Sequence, residues 1–259
     1  MFRLDGKTII VIGAGSGIGQ AVALGVAQQG GHTICLDINP ANAAATADLI
    51  TTAGGSADAG VVDIADETSV RDALAKALHH QSGLDGLVCT PAINVRKPIL
   101  KYTGDEFDRV VRVNLRGNFN VLQAAGALMV AQGSGSIVLF SSIRSLVTEP
   151  GQSVYSMTKA GIVQLVRTAA TEWGEHGVRV NAVGPGVIET PLTAPIKAQP
   201  DWYKAYADKT PMKRWAQASE MAGPTVFLLS DAASYVTGTI LFADGGWLAN
   251  DGRFTPPGM

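Results

Sequence analysis

Cysteine, histidine and unbalanced charge are all scarce in this chain. Its only two cysteines, Cys35 and Cys89, sit in apolar strand-like runs and read as small core residues, so neither a disulfide framework nor a thiolate metal site is expected. The four histidines, His32, His79, His80 and His176, form no ligand spacing, and no metal is expected. A formal net charge of −2 supplies no global basic field to draw a nucleic acid. No apolar run approaches the ~18–20 residues of a membrane span. The N-terminus, Met-Phe-Arg-Leu-Asp-Gly-Lys, lacks signal-peptide architecture, so a soluble cytoplasmic protein is expected, with no membrane or nucleic-acid partner. What is plentiful is apolar residues, 46% of the chain, and glycine, with thirty. That composition suits one α/β domain spanning residues 1–259 with a large core.

Thr8–Ile12 is a short β-branched run bounded by glycines and reads as a buried parallel strand. It leads into Gly13-Ala14-Gly15-Ser16-Gly17-Ile18-Gly19 and a helical stretch, Gln20–Gln29, stopped by Gly30-Gly31. Further strands are expected at Thr33–Leu36 (closed by Asp37), Asp58–Val62, Gly86–Cys89, Ser136–Phe140, Val178–Val183 and Gly238–Ala243. Between them lie helices at Pro40–Ala53, Glu67–His80, Thr103–Gln132 and Val154–Gly174, and one capped by Ser219 that runs to Leu229. Gly117 and Asn118 are poor helix formers, so an irregularity is expected beside Asn114. Strands alternating with helices mean βαβ units and a doubly wound, Rossmann-like parallel sheet of about seven strands with helices on both faces. Five prolines from Pro185 to Pro211 exclude one continuous helix there. Residues 189–217 therefore read as a substrate lid, and 247–259 as an irregular tail.

Ser142 lies thirteen residues before Tyr155, and Lys159 four after it. On a helix, positions i and i+4 share a face, so Tyr155 and Lys159 can enter one cleft. A phenol titrates near ~10 and serves as a base at neutral pH only where its anion is stabilised. A nearby ammonium does that, and a serine hydroxyl can hold a substrate oxygen in line, which suits moving a proton on or off a carbinol oxygen.

Taken together these motifs resemble the short-chain dehydrogenase/reductase family from about Gly6 to Gly246. Gly13, Gly17 and Gly19 match its Thr-Gly-x-x-x-Gly-x-Gly loop, with Ile12 in place of the threonine. Glycine there lets the backbone turn tightly and approach a pyrophosphate at a helix N-terminus, with Ser16 and Ile18 in the same turn. Asp37, eighteen residues after Gly19, is suited to accept hydrogen bonds from a ribose diol and to repel a 2′-phosphate, so NAD is the expected cofactor. Asp63-Ile64 resembles the family's adenine-contacting pair. The clearest departure is Cys89-Thr90-Pro91-Ala92, which replaces Asn-Asn-Ala-Gly; the backbone of Ala92 remains a candidate cofactor contact. Asn114 matches the family's Asn-x-x-Gly, which supports a water path to the lysine. Ser142, Tyr155 and Lys159 match the catalytic set. Pro185, Gly186, Val187, Ile188 and Thr190 match the loop over nicotinamide.

The resemblance implies an NAD-dependent oxidoreductase acting on a secondary alcohol or hemiacetal of a polar, sugar-like substrate. In it Tyr155 moves the proton, Lys159 lowers the phenol's pKa, Ser142 orients the substrate oxygen, and Asn114 helps pass the proton to solvent. It also implies a homotetramer built through the helices around Asn114 and Tyr155. A NADP-dependent carbonyl reductase, a lyase or epimerase on the same scaffold, and a non-catalytic NAD-binding protein are the alternatives. Arg96, Lys97 and Arg144 follow strand ends at the carboxyl side of the sheet, where ligands bind, and arginine forks favour an anionic substrate such as a sugar acid. Pairing with Glu149 and Asp105 is the competing account of these charges.

Overall fold

The β-branched run Thr8–Ile12 forms β1, with all five residues buried, because helices cover both faces of the strand. Side chains alternate. Ile9 and Val11 join one core and Ile10 and Ile12 the other, so each strand feeds two apolar layers. The computed structural model describes residues 1–250. The elements following β1 are α1 (Gly17–Gln28), β2 (His32–Asp37), α2 (Pro40–Thr52), β3 (Ala57–Val61), α3 (Glu67–Ala77) and β4 (Gly86–Cys89). Next come α4 (Gly104–Val111), α5 (Asn118–Gln132), β5 (Gly135–Phe140), α6 (Ser153–Trp173) and β6 (Val178–Pro185). The chain closes with β7 (Ile188–Glu189), α7 (Ala194–Lys197), α8 (Pro200–Lys209), β8 (Ala216–Gln217), α9 (Ala222–Leu229) and β9 (Ile240–Ala243).

Seven strands pair in the order β3-β2-β1-β4-β5-β6-β9, every pair parallel. One core packs α3, α5 and α6 on the sheet through Leu74, Val121, Met129, Ile162 and Val166. The other packs α1, α2 and α9 through Val22, Val26, Ile50, Val226 and Leu229. The order reverses between β1 and β4, which opens a crevice at the strands' carboxyl ends.

Two expectations change in detail. The long helix is broken into α4 and α5 by a π-helical segment, Arg112–Gly117, with Asn114 inside it. Gly117 is needed there because a Cβ would lie 2.7 Å from Ile64. Ser219 does not cap α9; a 3-10 turn, Ala218–Met221, precedes it, and Glu220 accepts the Gln217 N–H at 2.8 Å. The segment expected to form a lid, 189–217, carries regular elements of its own. It holds α7 and α8, and β7 pairs with β8. A third apolar cluster of Ile143, Ile196, Tyr206, Trp215 and Trp247 seats it on the sheet's carboxyl edge. Of the expected tail, residues 251–259 lie outside the described residues. Among the described residues no helix is long and apolar enough to cross a membrane, and no cluster of metal-binding side chains occurs.

Candidate active site

At the end of β5 the chain leaves the sheet at Ser141, whose N–H donates to Val183 O at 2.8 Å and whose hydroxyl donates to Lys159 O at 2.9 Å. These bonds tie the strand end to α6 and set Ser142 opposite Tyr155. Ser142 Oγ accepts the Arg144 N–H at 3.1 Å, which leaves its own hydrogen to donate into the cleft. Ser142 and Tyr155 line a cleft of about 260 Å³ together with Asn94, Arg96, Arg144, Gln152, Trp202 and Tyr206.

Burial pushes the Tyr155 phenol up, opposed by a hydrogen bond from Ser142 and by the charges of Arg144 and Arg96. Lys159, expected to favour the phenolate, stands on the same face of the helix. Its Nζ donates to Phe140 O at 2.7 Å and lies 5.7 Å from the Tyr155 ring centroid. Burial brings the Lys159 ammonium down to about 8. Arg144 and Arg96 add two further positive charges that act on the phenol.

Asn114 is fully buried and stands behind the cleft. Its Oδ1 accepts the Ile93 N–H and its Nδ2 donates to Ile93 O, both at 2.8 Å, and Nδ2 also donates to Thr158 Oγ1 at 3.2 Å. Its side chain thus pins the loop after β4 to α6.

A second cleft, of about 370 Å³, runs from the glycine loop to Thr190 and Leu192, and it meets the first at Leu192. Gly13, Ser16, Gly17, Ile18, Gly19, Asp37, Asp63, Ile64, Ala92 and Thr190 line it. A Cβ on Gly19 would sit 1.9 Å from Gly13 O, whereas one on Gly17 (φ +53°) would meet nothing nearer than 3.5 Å, so the turn is tight on one side and open on the other. Ser16 makes no side-chain cap bond, which leaves first-turn N–H groups of α1 directed at the opening. Asp37 accepts from Gly15 N and Asn39 N, both at 2.9 Å, and still faces the cleft. These residues fit a dinucleotide. In the divergent Cys89–Ala92 stretch, Thr90 Oγ1 donates to Ile12 O at 3.0 Å and so ties the ends of β1 and β4 together.

Gly186 and Val187 line the first cleft rather than the second, and Pro185 and Ile188 are buried behind them. Arg96 and Arg144 reach the first cleft, but both pair with Glu149, while Lys97 turns away to Glu106. Sequence reasoning missed Gln152, Asn94 and Tyr206, and treated Glu149 only as an ion-pair partner. No local pattern marks them, because two separate loops and α8 bring them together.

Comparison with known proteins gives a consistent picture. The family model described as enoyl-(acyl carrier protein) reductase matches residues 13–248. The chain is 38% identical to L-rhamnose 1-dehydrogenase (NAD(P)(+)) of Sphingomonas, over 96% of this chain and 99% of that protein. It is 35% identical to a 3-oxoacyl-[acyl-carrier-protein] reductase of Thermotoga maritima, over 94% and 98%. Its structure resembles that of a gluconate 5-dehydrogenase from Burkholderia cenocepacia in complex with NADP and tartrate, with a TM-score of 0.93 and 33% identity over 96% and 98% of the two chains.

Proposed function

Because the chain belongs to the short-chain dehydrogenase/reductase family, a group of NAD(P)-dependent oxidoreductases acting on CH–OH donors, we propose that it interconverts a secondary alcohol of a polyhydroxylated acid and its ketone, with NAD as cofactor. The observation that carries the substrate class is the pair of guanidinium groups, Arg96 and Arg144, in the wall of the cleft that also holds Ser142 and Tyr155. Two relatives act on a sugar and a sugar acid by name, which supports the same class. The acyl-carrier reductase among them is the competing reading, and the charged, aromatic cleft wall disfavours an acyl chain.

The cofactor, when bound, supplies the acceptor or donor of hydride. The chain's own residues do the rest. Ser142 donates to the substrate oxygen, Tyr155 takes the hydroxyl proton during oxidation, and the Lys159 ammonium favours the phenolate. Lys159, whose Nζ donates to Phe140 O here, would hold the cofactor's ribose. Asn114 keeps Ile93 in place. NAD is favoured over NADP by the Asp37 carboxylate and by the lack of any Lys or Arg lining the second cleft among the described residues. NADP-bound relatives make this a point to measure: steady-state kinetics with both dinucleotides, in which a preference for NADP sinks the assignment.

The deciding experiment is Arg96→Ala and Arg144→Ala, each assayed on a matched sugar acid and its neutral polyol. Loss confined to the acid supports the reading. Equal loss on both, or a wild-type enzyme that prefers the neutral sugar, removes it.

A further inference from the structure

One carboxylate behind the cleft wall draws four side chains to itself. Glu149 lies between the turn after β5 and the start of α6. Its Oε1 accepts from Gln152 Nε2 at 2.9 Å, from Arg96 Nη1 and from the Tyr206 hydroxyl, and its Oε2 accepts from Arg144 Nη2 at 2.7 Å. The guanidinium groups are also held from behind. Arg96 lies 4.8 Å from the Trp202 ring centroid and Arg144 lies 5.5 Å from that of Trp247. Their positions therefore rest partly on tryptophan faces, while their combined charge is halved by Glu149.

Two cations against one carboxylate leave this wall with a single positive charge. Each guanidinium has five N–H donors, of which Glu149 takes one, so both retain donors for a ligand. A first ligand carboxylate meets the unbalanced positive charge. A second finds that charge already matched and feels Glu149 behind the arginines, where water is partly excluded and like charges repel more strongly than in bulk. Burial alone raises the Glu149 carboxyl, but bonds from Gln152, Tyr206 and Arg96, with the Arg144 charge, hold it below its ordinary value. It is ionised at neutral pH.

We propose that Glu149 is a specificity-determining residue that sets the charge the cleft accepts at one carboxylate, admitting a polyhydroxylated monoacid and rejecting the diacid. The inference rests on the acid-substrate reading above. Glu149 acts through Arg96 and Arg144 and touches no reacting atom.

The test uses gluconate, glucarate and sorbitol, six-carbon chains with one, two and no carboxylates, titrated calorimetrically into the protein saturated with NADH. The wild type is expected to bind gluconate at least tenfold tighter than either of the others. Glu149→Gln keeps the shape and an acceptor oxygen but removes the charge, and it is expected to tighten glucarate at least tenfold with a smaller change for gluconate. A wild type that binds glucarate as well as gluconate, or a ratio unchanged in Glu149→Gln, overturns the role of Glu149 and leaves the acid reading standing. A wild type that binds sorbitol as tightly as gluconate overturns the acid reading itself. Should Glu149→Gln fail to fold, Arg96→Gln balances the wall to zero. It is expected to lose gluconate at least tenfold while keeping NADH, and retained gluconate affinity overturns the charge count.

Discussion

Tyr155 and Lys159 share one face of α6, yet burial moves them in opposite directions. The phenol is raised and the ammonium is lowered, since each is pushed toward its neutral form. Tyr155→Phe removes the hydroxyl proposed to carry the proton, so turnover should fall by ~10² or more while calorimetric cofactor binding survives. Lys159 makes a separate prediction about stability. Its folded value of about 8 lies below the ordinary 10.5, so the unfolded chain binds more protons between those limits. The cost of burying its charge is complete below pH 8 and fades as pH rises to 10.5. Melting curves of wild type and Lys159→Met should therefore show the wild type gaining on the variant from pH 7 to pH 10. A constant gap would mean that the lysine is not buried as a strained cation. Asp37→Ala should narrow the preference for NAD, and it should also lower Tm, because the carboxylate accepts the N–H groups of Gly15 and Asn39.

At the scale of elements, the segment 189–217, expected to be a lid, is held by two tyrosines three residues apart on α8. Tyr203 donates to Glu189 at 2.5 Å and Tyr206 donates to Glu149. Lys197 adds a 2.6 Å ion pair to Glu189, and Tyr203 stacks on Trp215 with ring centroids 4.9 Å apart. Hydrogen bonds from Lys197 and Tyr203 hold the Glu189 carboxyl below its ordinary value, and Glu149 is lowered as well. Both contributions are complete above the ordinary carboxylate range and are lost as pH falls through the lowered values. Amide exchange in α8 should accelerate there before the sheet unfolds. Glu189→Gln should speed that exchange roughly two- to fivefold at pH 7, the scale of a part-exposed pair, while the β1 amides stay protected. Equal acceleration in both would make the loss global rather than a release of the lid.

On the scale of the whole molecule, apolar side chains lie exposed on the faces of α4 and α6 away from the clefts. Phe107 is 41% and Met157 44% exposed, and both line a shallow groove with Ile99. A face of this kind fits burial against a second copy of the chain, the homotetramer that the family resemblance implies. Sedimentation should find an oligomer for the wild type and smaller species for Phe107→Glu combined with Met157→Glu. A wild-type monomer would end that expectation.

Much of this architecture is a local property of the chain. Runs of β-branched residues, glycine turns and cap signals determine the parallel α/β sheet by themselves, because burial on both faces demands continuous apolar strands. The Tyr155–Lys159 spacing likewise follows from helix geometry alone. The break at Asn114 was half legible: Gly117 and Asn118 mark weak helix, but the bonds from Asn114 in the π-helical turn to Ile93, some twenty residues away in sequence, were not. Which further cations act on the phenol was not legible at all. Lys159 is nearest in sequence and lies over the Tyr155 ring, while Arg96 and Arg144 arrive from other loops. The convergence on Glu149 was hidden for the same reason, since its partners come from the loop after β4, the turn after β5, the start of α6 and the lid. Periodicity encodes a residue's own face; only packing decides which distant charges share a low-dielectric cleft, where their interaction outweighs any local preference.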